Sequence, residues 1–263
     1  MNQPIVKDDS HSDYQGFQEQ ARALMAEGVW TNRFADERFV RFDSREMRSE
    51  MPREAIDLIS KGKHYFSYRG IPLAKDPFDK ALYEVLFYEV KPRTVIEFGA
   101  FAGGSAVWMA DLLKTFGLKG RVYSFDIDLG LVVPAALEHP GVTFRQGDCN
   151  QIAAMLPPEM LADLPHPWVV VDDAHVNMVE VCEHLHGHGM QPGDYLIMED
   201  TIPCIPASFN EGEMPDVDWG DWKWNDLLPF LEKHASEYLV DRYYTDFFGY
   251  NGTWNWNGFF KRV

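Results

Sequence analysis

Thr94-Val95-Ile96-Glu97-Phe98-Gly99-Ala100-Phe101-Ala102-Gly103-Gly104-Ser105 runs from an extended, β-branched stretch through a glycine-rich turn into a helical pattern. Glycine in such a turn permits positive φ and lets a ligand approach the backbone closely. In a doubly wound sheet the turn sits outside the carboxyl ends of the strands, where ligands bind. Its spacing is G-x-x-x-G-G, so the G-x-G-x-x-G dinucleotide fingerprint fails by its own register.

Outward from that turn the chain alternates. Phe78 to Val90 reads as an amphipathic helix stopped by Lys91-Pro92. Short β-branched or apolar runs follow at Thr94–Phe98, Arg121–Phe125, Val142–Phe144, Trp168–Val171 and Tyr195–Met198. Helical segments at Ser105–Phe116, Leu129–Leu137, Asn150–Leu156 and Val176–His188 separate them. Continuous apolar strands alternating with helices imply a parallel sheet covered on both faces. After a helix at Trp222–His234, Tyr238–Phe248 and Gly258–Val263 read as a closing antiparallel pair at the sheet edge. Upstream, Tyr14–Gly28 and Arg53–Ser60 read as helices. Residues 1–77 are expected to be an extension packed on a domain spanning 78–263.

Bulk numbers narrow the classes. The 263 residues, 46% hydrophobic and 14% aromatic, suffice for a sizeable core. A formal charge of -17, with no basic stripe, repels phosphate backbones and argues against nucleic acid. Cys149, Cys182 and Cys204 fit reduced thiols. No stretch approaches the roughly 18 apolar residues of a membrane helix, and residues 1–14 lack a signal-peptide pattern. The expectation is a cytoplasmic enzyme with a small-molecule substrate, no membrane partner, and a homo-oligomer as a possibility.

Acids mark the strand ends. Glu97 precedes the first glycine by two residues, which suits a cationic ligand such as the ammonium and sulfonium of S-adenosylmethionine better than a pyrophosphate. Asp126 at the second strand is expected at the ribose hydroxyls, and Asp148 at the third near the adenine edge. Gly99, Gly103, Gly104 and Ser105 complete the expected cofactor contacts, with Asp172 shared between cofactor and metal. A tight strand–helix turn with solvated acids would read the same way in sequence.

Asp172-Asp173-Ala174-His175 follows the fourth strand and Glu199-Asp200 the fifth. Two unit charges about 4 Å apart cost on the order of 4 kcal/mol at an effective dielectric near 20. Such a cluster calls for a cation or raised pKa values. All-oxygen ligation favours Mg²⁺, or another hard divalent cation such as Ca²⁺ or Mn²⁺. Asp172, Glu199 and Asp200 are therefore the expected ligands. Asp173 reads as a helix cap, and His175 as the base for an acceptor hydroxyl. Helix-capping acids and a carboxylate-satisfied His175 are the plainer alternative.

Taken together, Ile96–Ser105, the D-x-x-H of Asp172–His175, Glu199-Asp200 and the ending Gly249-Tyr250-Asn251…Gly258–Val263 resemble the cephalosporin hydroxylase (cephamycin methoxylation) family. That family is related to the Mg²⁺-dependent sugar O-methyltransferases of macrolide biosynthesis. Tyr68–Leu73 and Pro77-Phe78-Asp79 extend the resemblance, which runs from about Tyr65 to the end. It implies a Rossmann-like class I methyltransferase with a mostly parallel seven-stranded sheet and a closing antiparallel strand. It also implies metal ligands at Asp172, Glu199 and Asp200, a base at His175, and O-methylation in natural-product biosynthesis. The chain shows no 2-His-1-carboxylate or haem signature for oxygen chemistry. N- or C-methylation, a non-methylating reaction assisted by S-adenosylmethionine, and a cofactor-binding accessory protein are the alternatives.

Two features stand outside this reading. Cys182, His184, His186 and His188 fall into separate i,i+4 pairs on different helix faces, so the run reads as a polar helix end. Residues 209–224, acidic and tryptophan-bearing, read as a lid over the substrate or as a surface loop.

Overall fold

The computed structural model describes residues 11–26, 34, 37–63, 65–203 and 219–263. They fall into two compact units, Met1–Arg38 and Phe39–Val263. The first contains helix α1 (His11–Ala26).

In the second unit the strands are β1 (Phe39–Val40), β2 (Ser67–Tyr68), β3 (Ile71–Pro72), β4 (Thr94–Phe98), β5 (Arg121–Asp126), β6 (Val142–Gln146), β7 (Trp168–Asp172), β8 (Tyr195–Met198), β9 (Tyr238–Asp241) and β10 (Phe259–Arg262). The main helices are α2 (Arg53–Lys63), α3 (Pro77–Val90) and α4 (Gly104–Thr115). Shorter ones, α5 (Pro134–Leu137), α6 (Ile152–Met155) and α7 (Pro158–Ala162), precede α8 (Met178–His188), α9 (Trp219–Lys233) and α10 (Arg242–Thr245).

Eight strands form one sheet in the order β1-β9-β10-β8-β7-β4-β5-β6. β4 to β8 are mutually parallel. β10 is antiparallel to β8 on one side and β9 on the other. The chain leaves β4 towards β5 on one side and returns through β7 on the other, which opens a crevice at the carboxyl ends. β4 and β7 are buried at every position, because helices cover both faces. One face packs Val95, Val169, Val171 and Ile197 against Tyr83, Leu86 and Trp108. The other packs Ile96, Phe98, Val170 and Met198 against Cys182, Leu185, Leu227 and Phe230.

Local chemistry sets the helix ends. The Asp76 carboxylate accepts the N–H groups of Phe78 (2.7 Å) and Asp79 (3.0 Å), with Pro77 at the first position of α3. Lys91 ends that helix in the left-handed region before Pro92. At the start of α4, Gly103 adopts φ +86°, a conformation strained for other residues.

Three expectations need correction. The sheet has eight strands, not seven, because Phe39–Val40 adds to β9 in antiparallel register with Asp241 and Val240. The strand expected over Tyr238–Phe248 stops at Asp241, whose carboxylate accepts the Tyr243 N–H at 3.0 Å and caps α10. The helix expected over Leu129–Leu137 is split by Pro134 into a 3-10 turn and α5, since proline lacks the N–H a continuous helix needs. Phe39–Pro77 lies in the same compact unit as the sheet. Residues 209–218, most of the expected lid, lie outside the described residues.

Candidate active site

A cleft of about 550 Å³ opens along the carboxyl ends of β4 to β8. Gly99, Phe101, Asp126, Asp148, Asp173, His175 and Asp200 are among the residues that line it. Gly99 adopts φ +94°, and a Cβ there would meet the Asp173 carbonyl at 2.7 Å. The glycine thus lets the β4 and β7 loops close on each other. The Asp173 N–H donates to the Phe98 carbonyl at 2.9 Å and holds them there.

On the β5–β6 side the acids build turns. Asp126 accepts from the Phe101 N–H at 2.9 Å and the Asp128 N–H at 3.0 Å. Asp148 accepts from the Asn150 N–H at 2.9 Å. Both are half-buried, and Phe101, Phe125, Ile127 and Leu131 supply apolar wall beside them. A flat apolar ring and a diol fit this surface.

Glu97 sits elsewhere than expected. Fully buried beneath the turn, it accepts the Ser124 hydroxyl and does not line the cleft. Burial pushes its carboxyl up to about 7, against the pull of the Ser105 and Ser124 hydroxyls. Ser105 and Glu97 therefore tie α4, β4 and β5 together. Gly103 and Gly104 let the start of α4 pack closely on other neighbours: a Cβ at Gly103 would meet Ala136 of α5, and one at Gly104 would run into the Pro72 carbonyl of β3.

On the β7–β8 side Asp172 and Glu199 are buried, Asp173 and Asp200 half-buried, and all but Asp172 are ion-paired with a lysine. His175 Nε2 lies 3.7 Å from Asp173 Oδ1 and 3.6 Å from Asp200 Oδ2. Candidate ligand atoms of these three residues fall within 4.8 Å of one another. Asp173 also takes Lys75 Nζ at 2.9 Å, and Asp200 takes Lys63 Nζ at 3.0 Å. Burial works against ionisation of both carboxyls, but Lys75 holds Asp173 below its usual range, and Lys63 with His175 does the same for Asp200. Burial, reinforced by Lys223, pushes His175 down to about 4, so its imidazole is neutral around pH 7.

The expected trio of Asp172, Glu199 and Asp200 is not gathered. Side chains alternate along a strand, and Asp172 pairs in register with Met198, which puts Asp172 and Glu199 on opposite faces of the sheet. Asp172 is fully buried beside the Met198–Cys182 core, and burial pushes its carboxyl up to about 6. Glu199 is bonded by Lys75 and the Tyr83 hydroxyl on the other face. Asp173, expected as a helix cap, takes the position at the cleft instead.

Lys63, Lys75 and Lys223 were not singled out in the sequence. Lys223 Nζ donates to the backbone carbonyls of Asp172 (3.2 Å) and Glu199 (2.5 Å), so all three ammonium groups serve the acid cluster. The one sequence hint was that four acids at two strand ends demand counter-charge. Nothing in their spacing told which lysines supply it.

Residues 61–263 match the model of the rhamnosyl O-methyltransferase/CmcI family. The rhamnosyl O-methyltransferase of Mycobacterium tuberculosis (strain ATCC 25618 / H37Rv) is 30% identical over 181 residues, 65% of this chain and 71% of that protein. The Mycobacterium leprae (strain TN) rhamnosyl O-methyltransferase is 29% identical over 140 residues, 51% of this chain and 60% of that one. Among solved structures, CmcI with Mg and SAM superposes with a TM-score of 0.61 at 27% identity, covering 76% of this chain and 77% of the other. CmcI with SAH gives 0.57 at 27% identity, over 75% and 82%. With most of its length matched, the chain belongs to the rhamnosyl O-methyltransferase/CmcI family, and with it to the methyltransferases.

Proposed function

We propose that the chain moves the methyl group of S-adenosylmethionine to a hydroxyl oxygen of a small, polar, sugar-like or natural-product acceptor, using a hard divalent cation. One observation carries this reading. Asp173 Oδ1, His175 Nε2 and Asp200 Oδ2 converge at one end of a cleft whose other end presents Asp126 and Asp148.

The residues present fit both groups. A cleft of about 550 Å³ with apolar walls and two acids is the size and character of a nucleoside-derived ligand's site. Asp173 and Asp200 each spend one carboxylate oxygen on a lysine and turn the other towards His175, so two hard oxygens face one point. Asp173 and Asp200 would hold the cation; Glu199, on the same face, comes into reach if Lys75 moves aside. The match to CmcI, solved with Mg and SAM, supports the pairing of such a cation with the cofactor.

Bound S-adenosylmethionine supplies a methyl group on an electron-poor sulfonium, and a bound divalent cation supplies a Lewis acid that makes a nearby hydroxyl more acidic. The chain's own groups do the rest. Asp126 accepts the ribose hydroxyls and Asp148 stands at the adenine edge. Phe101, Phe125, Ile127 and Leu131 keep water from the adenosyl side. His175, neutral and half-buried, accepts the acceptor's proton at Nε2. Positioning of the two reactants contributes much of the acceleration.

The test is incubation of the full chain with S-adenosylmethionine and a panel of vicinal diols, sugars and catechols, with and without Mg²⁺. A product heavier by one methylene, with the methyl on oxygen and formation abolished by chelator, is expected. Methyl on nitrogen or carbon would refute O-transfer, and undiminished turnover in chelator would refute the metal requirement.

A further inference from the structure

We infer that His186, His234 and Glu237 form a second metal site, outside the cleft, for a divalent transition cation of the Zn²⁺ type. His186 is on the last turn of α8, His234 directly follows α9, and Glu237 directly precedes β9. None of the three lines the cleft.

The donor atoms are grouped as such an ion needs. Ligand atoms of the three residues all lie within 4.8 Å of one another. His234 Nδ1 is 3.0 Å from Glu237 Oε1, and His186 Nε2 is 4.0 Å from Glu237 Oε2. Zn²⁺ bonds of about 2.0–2.2 Å place neighbouring ligand atoms roughly 3–4 Å apart, so small side-chain movements suffice. Two imidazole nitrogens and a carboxylate suit Zn²⁺ and disfavour Mg²⁺, which asks for oxygens.

The surroundings add a second, independent reason. A ligating histidine ordinarily has its other ring nitrogen fixed by an oxygen. Here the Tyr238 hydroxyl sits 3.2 Å from His186 Nδ1, and Glu183 Oε2 sits 3.3 Å from His234 Nε2. The side chain of Glu237 is 40% exposed, which leaves room for water as a further ligand. Arg262 Nη2, 3.6 Å from Glu237 Oε2, is the competitor the ion must displace or tolerate.

The neighbouring histidines and cysteine do not belong to this site. His184 Nε2 is spent on the Leu156 carbonyl at 2.7 Å, His188 Nδ1 on the His184 carbonyl at 2.9 Å, and Cys182 is fully buried. The run of histidines on α8 is thus not a cluster in itself; among the described residues, His186 is the one member of the run grouped with metal-ligating side chains from elsewhere in the chain. An ion there would pin the end of α8 to the α9–β9 turn.

The experiment is equilibrium dialysis of the chelator-stripped full chain against Zn²⁺, followed by thermal melts with and without Zn²⁺. Asp200→Asn disables the acid cluster at the cleft, while His186→Gln and Glu237→Gln each remove one proposed ligand. Asp200→Asn should bind one Zn²⁺ tightly, wild type at least that one, and both should melt higher with it. His186→Gln and Glu237→Gln should lose roughly tenfold or more in affinity for that ion, and lose the shift. Glu237, whose side chain is 40% exposed, guards against a folding artefact, because its variant should melt close to wild type without metal. Wild-type zinc binding in both ligand variants, its loss in Asp200→Asn, or no tight zinc in wild type would overturn the site.

Discussion

The two sides of the cleft use the same residue type in opposite ways. On the β5–β6 side, Asp126 and Asp148 are half-buried, bonded to backbone amides, and open to a ligand. On the β7–β8 side, Asp173, Glu199 and Asp200 are ion-paired with Lys75 and Lys63, one just before α3 and the other at the end of α2, while Lys223 bonds the backbone carbonyls of Asp172 and Glu199. A strand-end acid near solvent can offer its oxygens to neutral donors. The same acid under a layer of side chains needs counter-charge, so it is either compensated by ammonium groups or made neutral. The first side is suited to recognition and the second to managing charge during reaction.

That contrast can be broken at graded strength. The largest effect should come from His175→Ala: turnover is expected to fall by roughly 10²–10⁴-fold, as for loss of a general base. Affinity for S-adenosylhomocysteine, measured by calorimetry, should stay nearly the same. Parallel losses in both would merge the two sides into one. Next comes Lys75→Met, which strips the counter-charge from Asp173 and Glu199. Removing one partner of a buried pair costs about 3–5 kcal/mol, readable by urea denaturation; an unchanged midpoint would show that the lysine is not a structural counter-ion.

Glu97 gives a pH signature of similar size. Its folded value of about 7 lies above the 4.5 of an ordinary glutamate, so the folded state holds the proton more tightly. Its contribution is therefore neutral below about 4.5, becomes unfavourable as pH climbs towards 7, and is constant above that. Glu97→Gln removes that penalty. The variant should gain up to about 3 kcal/mol relative to wild type between pH 4.5 and 7.5. A stability difference that does not change with pH would contradict the assignment. The smallest effect is expected from Asp126→Ala, which should weaken S-adenosylhomocysteine roughly tenfold or more, about 1.4 kcal/mol per tenfold, with little change in the rate at saturation.

Much of this was legible in the sequence because it depends on local pattern. Buried parallel strands are continuous apolar runs, so β4 and β8 were read to the residue and β5, β6 and β7 to within two. The glycine turn, Asp126 and Asp148 follow from strand ends alone. The phase of β7 was not legible. Whether Asp172 or Asp173 enters the cleft turns on one residue of register, and that register is fixed by pairing with β8. Lys63, Lys75 and Lys223 were equally hidden, since they reach the acids from positions far away in sequence. Tyr238–Phe248 reads as extended because it is rich in aromatic residues, whereas Asp241 ends the strand by capping a helix.

The central claim is that Asp173, not its neighbour Asp172, brings a divalent cation to the cleft alongside Asp200. Titration of Mn²⁺ into the full chain, followed by the loss of its free-ion paramagnetic resonance signal, tests this directly. Asp173→Asn should weaken the ion at least roughly tenfold, and Asp172→Asn should leave it within about twofold. The reverse pattern, with binding lost in Asp172→Asn and kept in Asp173→Asn, would contradict the account.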